Sequence, residues 1–316
     1  MTWKNTGTNM KALITGITGF VGRHLERFLK DKAEVYGTSR ANRSENHIFR
    51  VDFQSETEIA ELMNKLEPTH IFHLAGLSSV KDSWERKTDF IEANVMGTIH
   101  LLEAVRKTNR GIKVVTIGSS EEYGKIPPEL DKVSEEMRLD PSSPYGISKS
   151  AVSMLAKLYH ESYGLDITHA RPFNHIGPGQ RQGFVTTDFA YQIALINKGK
   201  TKTAAMRVGN LKVARDFTDV RDIAEAYYLL ACSGTAGEIY NVCTGKGVYI
   251  EEILEILSNF SDKKIEYEVD PARLRVADVP RLVGNPEKLM ILTGWKPKKK
   301  LEDTLRDIYH HCLKAL

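Results

Sequence analysis

At 316 residues, 41% apolar and 27% charged, the chain is long enough for one large or two modest domains and has the balance of a soluble globular protein. Its formal charge of +3 is too small for an extended nucleic-acid surface but compatible with an anionic small substrate. The three scattered cysteines, Cys232, Cys243 and Cys312, exclude a disulfide framework and a zinc site and point to reduced thiols in a cytoplasmic protein, and no apolar run approaches a membrane span. Met1 to Asn9 are polar, without a signal-peptide core, and read as a loose extension before a fold that starts near Met10.

Lys11 to Thr15 is a short apolar run of the kind that forms a buried parallel strand. Gly16, Gly19 and Gly22 follow in a GxxGxxG spacing, and Phe20, Val21, Leu25, Phe28 and Leu29 then fit a helix. Strand, glycine turn and helix is the setting of a dinucleotide site. Glycines let the backbone approach a pyrophosphate, and the helix start offers N–H donors. Ala33 to Thr38 reads as the second strand. It ends in Thr38-Ser39-Arg40, with Arg43 close behind, where an acidic residue would have held the ribose hydroxyl of NAD. A guanidinium and two hydroxyls suit a 2′-phosphate and favour NADPH, with NADH as the alternative. His47 to Val51 is a third strand ending at Asp52-Phe53, and Glu56 to Leu66 is a helix ended by Pro68. Thr69 to Gly76 is a fourth strand that closes on Leu74-Ala75-Gly76, small enough for a cofactor to lie against. His70 and His73 read as strand residues rather than metal ligands.

Val80 to Lys107 reads as one long helical region. Within it Asn94 is either a satisfied core amide or a group that holds a lysine through water. Lys113 to Gly118 is the fifth strand and delivers Ser119 and Glu121 at its carboxyl end, where ligands gather in open α/β sheets. Tyr145 and Lys149 are four residues apart in a helix running to Tyr163, so both leave one face. An ammonium beside a phenol favours the phenolate, and a tyrosine tuned in this way exchanges a proton near neutral pH. Leu165 to Ala170 is the next strand, and the alternation implies a parallel sheet with helices on both faces.

Beyond Arg171 the pattern changes. Arg171 to Gly179 reads as a turn-rich segment without regular structure. Helices are expected at Phe189 to Lys198, up to Cys232, and at Ile250 to Phe260, Pro286 to Thr293 and Leu301 to Leu313; Glu238 to Cys243 is a strand. Lys296 to Lys300 reads as a solvated basic turn. Arg215, Arg275 and Arg281 stand next to turns, where forked guanidinium contacts suit a diphosphate. The expected architecture is a doubly wound Rossmann domain over 10–172, with returning segments near 216–243, and a smaller α/β substrate-binding lobe over 173–316.

Taken together, Gly16-x-x-Gly19-x-x-Gly22, Ser119, Tyr145 and Lys149 resemble the extended short-chain dehydrogenase/reductase superfamily. Ser120 to Gly124, Phe173 to Gln180, Val208 to Leu211 with Arg215 to Phe217, and Asp278 to Arg281 with Thr293 to Pro297 look like its GDP-sugar branch, nearest to the GDP-4-dehydro-6-deoxy-D-mannose reductases. The resemblance implies NADPH-dependent reduction of a 4-keto GDP-sugar to GDP-D-rhamnose by a homodimer that engages neither nucleic acid nor membrane and needs no metal. It implies cofactor contacts from Gly16, Gly19, Phe20, Val21, Gly22, Arg40, Asp52, Phe53, Leu74, Ala75, Gly76, Tyr145 and Lys149. Substrate contacts would come from Ser78, Ser79, Asn174, Arg215 and Arg275. The implied catalytic group is Ser119, Glu121, Tyr145 and Lys149. GDP-mannose 4,6-dehydratases carry a glutamate at the position of Glu121 that eliminates water across C5 and C6, so dehydratase or dual activity stays open, as does another nucleotide-sugar reductase or epimerase of the same superfamily. A non-catalytic dinucleotide sensor would be expected to lose the Tyr145/Lys149 pair.

Overall fold

The structure is a computed structural model and describes residues 10–41, 45–127, 129–201, 205–274 and 279–316. In chain order the first elements are β1 (Lys11–Thr15), α1 (Phe20–Leu29), β2 (Glu34–Ser39), β3 (Ile48–Arg50), α2 (Glu56–Leu66) and β4 (His70–His73). Next come α3 (Val80–Ser83), α4 (Lys87–Phe90), a π-helical turn (Ile91–Met96), α5 (Gly97–Thr108), β5 (Lys113–Ile117), a 3-10 turn (Ser120–Glu122) and α6 (Pro144–Tyr163). Then follow β6 (Asp166–Pro172), β7 (Asn174–Ile176), α7 (Val185–Asn197), β8 (Ala205–Val208), β9 (Ala214–Asp219) and α8 (Val220–Ser233). The last are β10 (Ile239–Val242), β11 (Gly247–Tyr249), α9 (Ile250–Ser258), β12 (Glu266–Val269), β13 (Arg281–Leu282), α10 (Glu287–Thr293) and α11 (Leu301–Ala315).

Contacts divide the chain into two compact units. The first takes residues through Ser119 together with Pro144–Arg171 and Ala224–Tyr240; the second takes Ser120–Ser143, Pro172–Ile223 and Asn241–Leu316. The seven-stranded sheet runs β10-β6-β5-β4-β1-β2-β3, with parallel pairing from β3 through β6. Its strands leave β1 outward to β3 and then return to β4 on the other side. The direction of winding therefore reverses between β1 and β4, and helix termini diverge there to leave a crevice beyond the strand carboxyl ends. β1 is buried from Ala12 on because both of its faces are covered, which is why it reads as an unbroken apolar run. Leu13, Ile71 and Val114 on the sheet pack with Ile59, Leu62 and Met63 of α2 and Leu101, Leu102 and Val105 of α5.

The single long helix expected over 80–107 is instead three helical pieces and a π turn. The reason is local. A π turn carries one extra residue, and it rotates Asn94 inward, where it is 1% exposed and held by hydrogen bonds described below. The segment expected to lack regular structure contains β7, whose Asn174, His175 and Ile176 pair in parallel with Phe217, Thr218 and Asp219 of β9.

In the second unit β9 is buried along its whole length and pairs with β7, β11 and β13. α7, α9 and α11 close a core around it through Phe189, Ile193, Ile253, Leu257, Leu305 and Ile308. The short strands β8 and β12 form a separate parallel pair. The basic stretch Lys296 to Lys300 does more than face solvent. The backbone N–H groups of Lys298 and Lys299 both donate to the Asp222 carboxylate, at 3.0 and 2.9 Å, and the buried Trp295 indole donates to the Asp222 carbonyl at 3.0 Å. Cys232, Cys243 and Cys312 are free thiols, and no described helix is long and apolar enough to cross a membrane.

Asp222→Ala removes one acceptor from two backbone donors. The expected cost is about 1–3 kcal/mol, seen as a lower thermal midpoint with earlier exposure of Trp295 fluorescence. An unchanged midpoint would show that the turn is held by its neighbours instead.

Candidate active site

At two positions of the glycine turn, Gly16 and Gly22, the backbone leaves no room for a side chain. Gly16 has φ +68°, and a Cβ there would lie 3.1 Å from the backbone of Ala75. A Cβ on Gly22 would lie 2.6 Å from the carbonyl oxygens of Gly16 and Ile17. The Gly19 N–H donates to the Gly16 carbonyl at 2.9 Å and closes the turn. α1 then starts with no side-chain cap and no acidic residue in its first turn, so no carboxylate competes for its leading N–H groups. A tight glycine turn opening a helix, next to the β1/β4 reversal, fits a dinucleotide pyrophosphate. Leu74 and Ala75 form the wall of this turn.

At the end of β2 the hydroxyls also serve the backbone. Thr38 and Ser39 are buried: the Thr38 hydroxyl accepts the Gly16 N–H at 3.2 Å, and the Ser39 hydroxyl accepts the Ala41 N–H at 3.2 Å. Each oxygen thus accepts a backbone donor and keeps its own hydrogen to donate. Arg40 alone of the three is exposed. Arg43 lies outside the described residues. Asp52 is exposed and its carboxylate accepts the Gln54 N–H at 3.0 Å, while Phe53 is half-buried with its ring 5.6 Å from that of His73.

Tyr145 and Lys149 lie on α6. Tyr145 is 7% exposed and its ring meets Phe90 edge-on at 6.0 Å. The Lys149 ammonium donates to the Ile117 carbonyl at 2.8 Å, which holds it at the carboxyl end of β5, two residues before the buried Ser119. Between these and the β4 end stands Asn94. Its amide oxygen accepts the Leu77 N–H at 2.8 Å; its amide nitrogen donates to the Leu77 carbonyl at 3.1 Å and to the Ser148 hydroxyl at 2.9 Å. Ser148 donates in turn to the Tyr145 carbonyl at 2.8 Å. Asn94 is therefore a satisfied buried amide that ties the β4 loop to the first turn of α6. Gly76 belongs to the same packing, since a Cβ there would fall 2.5 Å from the Asn94 amide oxygen and 3.9 Å from the Lys149 ammonium. Ser78 is exposed, and the Ser79 hydroxyl caps α3 by accepting the Asp82 N–H at 3.1 Å.

Glu121, Asn174 and Arg215 belong to the second unit. Glu121 is half-buried in the 3-10 turn, and Asn174 opens β7. Arg215 is 5% exposed, its guanidinium donating to the carbonyls of Ala214 at 2.9 Å and Val279 at 2.7 Å. Arg281 pairs with Asp131 at 2.7 Å, which is the ordinary surface role for such a residue. Arg275 lies outside the described residues. Asp216, which the sequence reading passed over, is a buried carboxylate with several donors beside Arg215. It accepts the N–H and hydroxyl of Thr244 at 2.8 and 2.6 Å and the N–H groups of Gly245 at 2.8 Å and Gly284 at 3.4 Å. Burial pushes its pKa up against the pull of those donors. Ser148 was also missed, although its place between Tyr145 and Lys149 was visible. Among the described residues no group of three or more histidine, cysteine or carboxylate side chains is placed to hold a metal ion.

A tyrosine with a positioned lysine, at strand ends next to a glycine cradle, can donate a proton to an oxygen where negative charge develops. Comparison with known proteins agrees in kind. The chain is 34% identical to a GDP-6-deoxy-D-mannose reductase of Pseudomonas aeruginosa, over 94% of this chain and 95% of that one. It is 31% identical to GDP-mannose 4,6 dehydratase 2 of Arabidopsis thaliana, over 93% of this chain and 84% of that one. The solved structure of RMD from Pseudomonas aeruginosa complexed with NADPH superposes with a TM-score of 0.87 at 31% identity, covering 97% of this chain and all of that one. A model of the GDP-mannose 4,6 dehydratase family matches residues 13–308, and the chain belongs to that family, an oxidoreductase branch of the extended short-chain dehydrogenases/reductases.

Proposed function

We propose that this protein reduces the C4 keto group of GDP-4-dehydro-6-deoxy-D-mannose with NADPH to give GDP-D-rhamnose. The observation that carries the reading is the Lys149 ammonium fixed on the Ile117 carbonyl, on the same helix turn as Tyr145 and two residues before Ser119. The similarity to a reductase over nearly the whole chain supports the choice of branch. NADPH, when bound, supplies the hydride that reaches C4. The residues do the rest. The Gly16 to Gly22 turn, Phe20 and Val21 carry the pyrophosphate. Asp52, Phe53 and Leu74 to Gly76 line the base and ribose side, and Arg40 takes the 2′-phosphate. Tyr145 gives its proton to O4 as the carbonyl becomes an alkoxide, and the phenolate is reprotonated from solvent. Lys149 holds the nicotinamide ribose and favours the phenolate, while Ser119 donates a hydrogen bond to the same O4. Ser78 and Ser79 face the hexose; Asn174, Arg215 and Arg275 hold the GDP portion.

Glu121 supports a second reading, a GDP-mannose 4,6-dehydratase, because a carboxylate there could remove a proton from C5 and the relatives include dehydratases. Incubation with each GDP-sugar and each nicotinamide, followed by product analysis, separates the two. The reductase reading expects NADPH consumption with the 4-keto-6-deoxy sugar and no product from GDP-mannose. It also expects Tyr145→Phe to lose roughly 10²–10⁴ of turnover with NADPH still bound. A 4-keto sugar formed from GDP-mannose without net cofactor change would move the assignment to dehydratase.

Arg40→Ala is expected to weaken NADPH roughly tenfold while leaving NADH unchanged, through loss of one charge-assisted contact. An unaltered ratio of the two affinities, measured by cofactor fluorescence, would remove Arg40 from cofactor choice.

The protein is proposed to be a cytoplasmic homodimer. α6 exposes Ile147, Met154 and Leu158, at 52, 62 and 52%, along one stripe, an apolar face that a second copy would cover. Met154→Glu with Leu158→Glu should yield monomer in sedimentation; wild-type protein sedimenting as a monomer at micromolar concentration would refute the dimer.

A further inference from the structure

His73 closes β4 at the point where the sheet reverses, and it is 4% exposed. Its Nδ1 lies 2.9 Å from the Thr15 hydroxyl, and its Nε2 lies 3.1 Å from the Thr98 hydroxyl on α5. Thr15 is the last residue before Gly16, and its hydroxyl also accepts the Ala75 N–H at 2.9 Å. The Thr98 hydroxyl sits 2.6 Å from the Asn94 carbonyl.

These four contacts fix every proton. A carbonyl oxygen only accepts, so the Thr98 hydrogen points at Asn94. The Thr98 oxygen must then accept from His73, which places a hydrogen on Nε2. A neutral ring with hydrogen on Nε2 leaves Nδ1 as an acceptor, and the Thr15 hydroxyl supplies its hydrogen there. The opposite tautomer would set two lone pairs against each other at Thr98. The imidazolium is opposed by complete burial and by the Lys149 ammonium on α6, which together hold the ring neutral down to about pH 3. The bonds thus run in one sense: Ala75 N–H to Thr15, Thr15 to His73, His73 to Thr98, Thr98 to the Asn94 carbonyl. Asn94 continues through its side chain to Ser148 and so to the Tyr145 carbonyl.

We propose that His73, neutral and protonated on Nε2, is a positioning residue that couples the dinucleotide turn after Thr15 to the Asn94–Ser148 clamp beneath Tyr145 and Lys149. His73 touches none of the reacting atoms in the proposed reaction. It acts through Thr15 on the backbone that carries the pyrophosphate, and through Thr98 and Asn94 on the helix that carries the proton donor. A half-satisfied buried network is worse than none, so its removal should be felt at both ends. The catalytic half of this inference rests on the reductase reading; the tautomer and the cofactor half do not.

The test uses the full chain. Side-chain ¹⁵N NMR, with His73 assigned by loss of its signals in His73→Gln, should show hydrogen on Nε2 and no titration from about pH 8 to about pH 5. Hydrogen on Nδ1, or titration near the ordinary histidine value, overturns the proposal. His73→Phe should raise the NADPH dissociation constant roughly tenfold and move the alkaline limb of kcat/KM to higher pH, since a loosened Lys149 favours the phenolate less. His73→Gln, which keeps one donor and one acceptor, should recover most of the affinity. Thr98→Val, which keeps shape and removes only the hydroxyl, should reproduce the NADPH effect and serves where His73→Phe folds poorly. Thr98→Val or His73→Phe with a lowered thermal midpoint but wild-type NADPH affinity would reduce His73 to a core residue and refute the coupling. An enzyme inactive on the proposed sugar leaves the NMR and NADPH results standing, so the two failures are told apart.

Discussion

The side-chain amide of Asn94 is the constraint on which the first unit's site depends. It is buried, it carries donors and an acceptor that must all be met, and it meets them on the Leu77 backbone and the Ser148 hydroxyl. That requirement is what the π turn serves, because a regular helix would point this position elsewhere. It also explains Gly76, which has no room for a Cβ against the amide oxygen. The β4 loop, the α4–α5 region and the start of α6 are thus set by one polar group, and the lysine and tyrosine inherit their places from it.

The second unit has its own counterpart in Asp216. One buried carboxylate gathers donors from two segments distant in sequence, the Thr244–Gly245 turn and Gly284. The neighbouring Arg215 is turned to the other side of the strand, where the Ala214 and Val279 carbonyls hold its guanidinium. Strand alternation places these opposite roles side by side.

Much of the first unit was legible because its signals are local. The glycine spacing, the apolar run of β1, the helix α2 ended by Pro68 and the Tyr145/Lys149 spacing each announce themselves within a dozen residues. What was not legible depends on partners far along the chain. β7 exists because β9 lies beside it, and β8 because β12 does. The π turn has no sequence signature apart from a polar residue among apolar ones. That the hydroxyls of Thr38 and Ser39 also accept backbone N–H groups could not be read from residue type alone. His73 looked like any strand histidine; only its two threonine partners give it a direction.

The end of β2 has an evolutionary consequence. Thr38 and Ser39 are bound into the backbone of the first unit, whereas Arg40 projects from it and is exposed. Whatever discrimination Arg40 exerts on the ribose is therefore mechanically detached from folding. On the proposed reading of Arg40, a lineage can exchange that residue and change its choice of nicotinamide without rebuilding the sheet, whereas loss of the Thr38 hydroxyl would remove the acceptor of the Gly16 N–H. Cofactor preference in such a chain is free to drift faster than the chemistry it feeds.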